Sequence, residues 1–198
     1  MKKYLFIITS IIISSCASIY ITNEGQEIAN KHQSIAILSP TVGFENKKEV
    51  NSERTKSLEI QQEIYSWMLK RKSQGEITIQ VQDIDDTNVI LKRTGFSLEN
   101  LTTNEICDLL EVDAVLYSNF NLSQPTSQGA AIVAKLLFNL NTATNKANAS
   151  LSIKDCASKS MIWNYNHEFS GSLGSSSQDL VEGLMRHASK NLPYLKRK

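Results

Sequence analysis

Three carboxylates within four positions, Asp83, Asp85 and Asp86, form the densest group of potential metal ligands in the chain. A calcium loop of the EF-hand type would need glycine at its sixth position and glutamate at its twelfth, where this chain has Asn88 and Thr94. The cluster is therefore read as a solvated turn that caps the helix after it. His32, His167 and His187 fall in a spacer, at a strand end and in a helix, with no metal-ligand spacing, so each is an ordinary surface or partly buried residue. Gly171-Ser-Leu-Gly-Ser175 has Leu173 where a nucleophile elbow places serine, and no Gly-Lys-Ser/Thr follows it to cradle a phosphate. No catalytic residue, metal or cofactor is expected, and the chain is read as a non-enzyme.

Cys16 carries more information. It follows Ile13, Ser14 and Ser15, a branched apolar residue and two small ones. Before them, Lys2 and Lys3 are followed by an apolar run from Tyr4 to Ile13, broken only by Thr9 and Ser10. This run is too short to cross a bilayer, which takes roughly 20 apolar residues, but it has the length of a signal-peptide core. The junction resembles a bacterial lipobox, whose cysteine receives a diacylglycerol thioether and becomes the first residue after cleavage. Each buried acyl CH₂ contributes about 0.8 kcal/mol, so two or three chains make an effectively permanent anchor. Residue 17 is Ala rather than Asp, which matches default sorting to the outer membrane, facing the periplasm.

Loss of residues 1–15 removes Lys2 and Lys3, so 21 basic residues become 19 against 20 acidic ones. A nearly neutral chain offers no electrostatic footprint for nucleic acid. The one basic cluster, Lys196-Arg197-Lys198, is read as part of a solvated tail. The remaining cysteines, Cys107 and Cys156, would reside in an oxidising compartment, where pairing is chemically possible. One lies in an expected helix and the other in an expected turn. Nothing in the spacing brings them together, and two unpaired thiols are expected.

Organisation follows from periodicity. Residues 16–33 show little apolar pattern and read as lipidated cysteine and tether; residues 34–193 read as a single domain and 194–198 as the basic tail. Ser34 to Pro40 is a short apolar run stopped by proline, as in a buried strand. Thr41 to Asn51 reads as a loop. Ser52 to Lys72 lacks Gly and Pro, and its Ile60, Ile64, Trp67 and Met68 recur at helical steps. Glu76 to Gln82 alternates as a half-exposed strand. Asp86 to Thr94, closed by Gly95, suits a short helix. Thr102-Thr-Asn-Glu105 is a capping box with Ile106, Leu109 and Leu110 behind it. Ala114 to Leu122 reads as a central strand, and Ala130 to Phe138 as a short helix. Ala147 to Ile153 and Met161 to Tyr165 alternate about a turn at Asp155 to Lys159, as an antiparallel hairpin does. Leu180, Val181, Leu184, Met185 and Ala188 mark a last amphipathic helix ended by Pro193. The fold class is α/β (mixed α+β): one mixed sheet of about five strands, including the carboxyl-terminal hairpin, flanked by helices. Leu110, Val115, Leu151 and Leu184 are expected in one core.

Leu110-Glu-Val-Asp-Ala-Val-Leu116, then Leu151-Ser-Ile-Lys-Asp155 and Ser160-Met-Ile-Trp163, resemble a family pattern across residues 34–192. A helix runs into a strand through an acidic-alanine step, and a strand ending in Asp turns into a strand with Trp. The pattern is similar to that of a group of envelope proteins. They are the amino-terminal domain of the Tol-system periplasmic protein, the curli-secretion lipoprotein, and the lipoprotein activators of penicillin-binding proteins. This chain has Glu111-Val112 where the group has Gly-Ala, and Cys156-Ala-Ser-Lys159 where it has a Thr-Gly turn. Ser158 or Lys159 must then use another loop geometry. The resemblance implies a binding or assembly protein: an adaptor for another envelope protein, membrane-held through its lipid, with homo-oligomers possible. The alternative is a subunit of an outer-membrane secretion pore, with Gln128 to Asn148 as a spanning hairpin. Spanning strands need about 9 to 11 residues with one apolar face, which Ala130 to Phe138 and the polar Asn139 to Asn148 do not supply.

Overall fold

The computed structural model describes residues 17–44, 50–123, 145–171 and 177–196. Their strands are β1 (Ala17–Ile21), β2 (Ser34–Ile37), β3 (Thr41–Phe44), β4 (Gln80–Val81), β5 (Ala114–Ser123), β6 (Asn145–Asp155) and β7 (Met161–Gly171). Their helices are α1 (Gly25–Ala29), α2 (Val50–Ser73), α3 (Ile84–Arg93), α4 (Thr103–Leu110) and α5 (Ser177–Ala188), with a 3₁₀ turn at Leu98–Asn100. The reading of Ala130 to Phe138 as a helix, and the spanning-hairpin alternative, fall outside the described residues.

One mixed sheet organises the chain, in the order β1-β7-β6-β5-β2-β4, with β3 also on β5. β2, β3 and β4 run parallel to their partners, while β5, β6, β7 and β1 pair antiparallel. The sheet has seven strands rather than about five. The two additions are β1 and β3, each short. After Ser39 and Pro40 interrupt β2, the chain rejoins β5 three residues further along it, from Leu116 opposite Ile37 to Asn119 opposite Thr41, so the expected loop at Thr41 is a strand at its start.

The stretch read as a tether belongs to the fold. β1 lies antiparallel along β7 from Ala17 opposite His167 to Ile21 opposite Trp163. α1 then packs on β7 so closely that a Cβ on Gly25 would sit 2.5 Å from the Ile162 carbonyl oxygen. The carboxyl end is likewise ordered at its start: Tyr194 is buried, Leu195 bridges Ile77, and Lys196 N–H donates to the Glu76 carbonyl at 2.9 Å.

Apolar side chains sit on both faces of the sheet. On one face Ile60, Ile64 and Met68 of α2 and Val181, Leu184 and Met185 of α5 cover Leu116, Phe120, Leu151, Ile153, Trp163 and Tyr165. On the other, Ile106, Cys107 and Leu110 of α4 cover Ala36, Leu38 and Val115. Leu110 and Val115 are thus in a different layer from Leu151 and Leu184, and the expected single core is two, because successive strand residues face opposite ways. Leu184 has no exposed area. Leu184→Ala is expected to cost about 2 to 5 kcal/mol in a urea titration; a loss under about 1 kcal/mol would show that α5 does not close this core.

The capping box is present: the Thr102 side chain accepts from Glu105 N–H, and the Glu105 carboxylate accepts from Thr102 N–H at 2.7 Å. Glu111, at φ 52°, and Lys159, in the β6–β7 turn at φ 62°, both use the left-handed region although neither is glycine. Lys159 therefore keeps the left-handed step, rather than adopting another geometry, against a steric cost of roughly 1 to 2 kcal/mol.

Candidate functional site

Cys107 and Cys156 form a disulfide, with Cα atoms 5.7 Å apart, contrary to the expectation of two thiols. Pairing arises from tertiary register. β5 aligns Ala114 with Asp155, and Cys156 N–H donates to the Asp113 carbonyl at 2.9 Å. This brings the β6–β7 turn against α4, whose Cys107 faces the sheet.

The carboxylate cluster behaves as read. Asp83 caps α3, accepting from the N–H groups of Asp85 at 2.8 Å and Asp86 at 3.3 Å. Those two bonds, and a weaker one from the Tyr65 hydroxyl, lower its pKa against a small effect of burial. Among the described residues no group of acidic, histidine or cysteine side chains is arranged to hold a metal ion.

His32 differs most from its reading. Its Nε2 lies 2.8 Å from Asp155 Oδ1 and its Nδ1 2.8 Å from the Tyr194 hydroxyl, with the histidine and aspartate side chains 4% and 5% exposed. A neutral imidazole protonated on Nε2 meets both contacts, donating to Asp155 and accepting from Tyr194. Asp155 also accepts from Ser158 N–H. Burial pushes its pKa up, and the bonds from Ser158 and His32 outweigh that and hold it below the usual value. Asp113 accepts from Gln33 N–H at 2.7 Å and Ser34 N–H at 2.9 Å, and its pKa is lowered by the same balance. Burial first, and the nearby Asp155 and Asp113 charges second, raise the Tyr194 pKa. Tyrosine, histidine and aspartate in a row could relay a proton, but here both imidazole nitrogens are occupied and all three side chains are buried. The row fastens the segment before β2, the β6–β7 turn and the carboxyl end together.

His167 and His187 stack with ring centroids 5.4 Å apart where β7 meets α5. Burial, then the His187 charge, lowers the His167 pKa.

Two further features lie at the surface. The first is a cleft of about 750 Å³ where the Ser39–Pro40 break in β2 meets α2 and the start of α4. At its wall the Lys154 ammonium lies 4.5 Å from the centre of the Tyr117 ring and donates to Thr103 Oγ at 3.3 Å, while Thr103 Oγ and the Tyr117 hydroxyl are 3.1 Å apart. Burial raises the Tyr117 pKa more than the Thr103 bond lowers it. Neither Lys154 nor Arg54, also on the lining, has an ion-pair partner among the described residues. Glu53 and Glu99 line it too, so both signs of charge are available.

The second surface adjoins it. Beyond α4 the sheet face that carries Tyr117 is open, and the register places polar side chains across it in rows. One row is Asn119, Ser150, Asn166 and Ser18; the next is Tyr117, Ser152, Asn164 and Tyr20. Asn119, Asn166 and Ser18 are exposed, and Tyr20 is 57% exposed. The signal for this face was present in the sequence, as the polar half of each alternating strand. What was missing was the register that aligns the halves. β1, at one end of the strand order, begins at Ala17, the residue after Cys16 in the sequence.

No protein-family model matches the chain, and no curated protein matches it. Among solved structures it is similar to the lipoprotein GNA1162 from Neisseria meningitidis, at 12% identity and TM-score 0.48 over 79% of this chain and 94% of that one. It is similar to a PelC dodecamer from Paraburkholderia phytofirmans, at 8% identity and TM-score 0.45 over 83% and 89%. A third is the LpoB C-terminal domain from Escherichia coli, at 13% and TM-score 0.39 over 74% and 95%. These likenesses are distant. Among the described residues no helix is long and apolar enough to cross a membrane.

Proposed function

We propose that this chain is a non-catalytic adaptor of the bacterial cell envelope, held in the outer membrane by lipid on Cys16 and facing the periplasm. The observation that carries the reading is the Cys107–Cys156 bridge. Structural disulfides form and persist in oxidising compartments and are rare in the cytosol. The bridge therefore agrees with the signal and the lipobox at Ile13 to Cys16, which were read on independent grounds.

The adaptor role rests on the cleft and the polar face beside it. Buried groups that resemble a catalytic relay are used to hold the fold, while the Lys154 and Arg54 charges lie at the cleft and the exposed Asn119 and Asn166 amides on the sheet. A partner with a polar, mixed-charge segment suits these groups: an acidic side chain for Lys154 and Arg54, and amides or hydroxyls for the Asn and Ser rows. A photo-cross-linking amino acid at Asn166 should give a heavier adduct in intact envelopes, and one at Gln74, exposed at the end of α2, should not. Lys154→Glu should lower the Asn166 adduct. Equal adducts at both positions, or none at Asn166, would count against docking on this face.

A further inference from the structure

A lipid-anchored domain on a long spacer can tumble above its membrane, but here the spacer is absent. β1 begins at Ala17, immediately after Cys16. Ala17 is opposite His167, which is opposite Ala149, which in turn is opposite Phe120. One step further toward the end at which β1 begins, the neighbouring strands carry Glu168, Asn148 and Asn121, and Cys16 is joined to Ala17 by a single peptide bond. The β6–β7 pair continues below that level to Asn145 opposite Gly171, three further residues or about 10 Å at the rise of an antiparallel strand. In the other direction β6 climbs from Asn148 to Asp155, seven residues or about 24 Å.

We infer that the end of the sheet at which β1 begins is seated in the headgroup layer of a phospholipid bilayer, making the opposite end, with the Asp155–Ser160 turn and the disulfide, the membrane-distal pole. The inference rests on lipidation of Cys16. Acyl chains on Cys16 draw its sulfur to the boundary of the hydrocarbon, and the interfacial layer beyond that boundary is roughly 5 to 8 Å deep on each side. With no slack in the chain, strand ends that project about 10 Å past the cysteine must enter that layer or tilt along it. Of the exposed side chains at that level, Asn121 and Asn148 are amides and Glu168 is a carboxylate, hydrogen-bonding groups that can meet the phosphates and ammoniums of a headgroup layer. The geometry also leaves the cleft, with Ser39 and Lys154 on the distal side of the anchor level, accessible from the periplasm.

The test uses the full-length lipidated protein in vesicles of phosphatidylethanolamine and phosphatidylglycerol carrying a headgroup nitroxide. A genetically encoded fluorophore is placed at Asn148 or at Ser158, both exposed in the fold. Intact mass establishes the acyl chains on each preparation. Quenching should be several-fold stronger at Asn148 than at Ser158. A Gly/Ser insert of about twelve residues between Cys16 and Ala17, spanning roughly 20 Å on average, should keep the acyl mass and co-flotation but abolish the excess at Asn148. Equal quenching at the two positions on acylated protein, or an excess that survives the insert, overturns the seating alone. Absence of acyl mass overturns the anchor reading, and the seating with it.

Discussion

Breaking the Cys107–Cys156 bridge is expected to lower the stability of the domain by about 4 kcal/mol, the chain-entropy value for a loop of this size. The two cysteines are 49 residues apart in sequence, and the loop they close includes the last residues of α4 and all of β5 and β6. A reduced chain gains freedom throughout that span when it unfolds. Urea titrations of the oxidised protein, the reduced protein and the Cys107→Ala/Cys156→Ala variant read the effect. With a slope near 2 kcal/mol/M, the midpoint should fall by about 2 M. A fall under about 0.5 M would mean that the bridge is peripheral to folding and weaken the argument for an oxidising compartment.

The second large effect is expected at the histidine that fastens the ends of the domain. His32→Leu should cost about 3 to 5 kcal/mol, because it leaves the Asp155 carboxylate buried without the imidazole. Asp155→Asn should cost less, since the amide still accepts from Ser158 and the imidazole can change tautomer to accept from the new N–H. The two variants should also differ in acid. Asp155 and Asp113 have folded pKa values below their unfolded values, so their stabilisation is complete above the unfolded pKa of about 3.9 and disappears as pH falls through the folded pKa. Stability of the wild type should decline below about pH 4, and Asp155→Asn should flatten part of that decline. An unchanged acid profile in Asp155→Asn would remove Asp155 as a source of it.

These effects arise at features that local pattern did not disclose. The capping box at Thr102 and the stripe of Ile60, Ile64 and Met68 were legible because every contact they need lies within one helix or on one helical face. β1 was not, although Ala17, Ile19 and Ile21 alternate with Ser18 and Tyr20, because five residues beside a signal peptide carry too little pattern to compete with a spacer. β3 was hidden in the same way behind Pro40. The disulfide and the His32 row bring together residues 49 and 123 positions apart. Sequence spacing could not reveal them, because the alignment of β5 with β6 creates them. The cleft is similar: Lys154 and Tyr117 meet across paired strands, and Thr103 joins them from a helix. The proposed anchor motif, by contrast, is local by nature, four consecutive residues from Ile13 to Cys16.

That anchor is tested most directly by growing cells in labelled palmitate and recovering the protein from membrane and soluble fractions. The wild-type chain should carry label, sediment with the membranes and begin at Cys16, while Cys16→Ser should carry none and either leave the membrane or retain its signal. A wild-type chain that takes up no label would contradict the account.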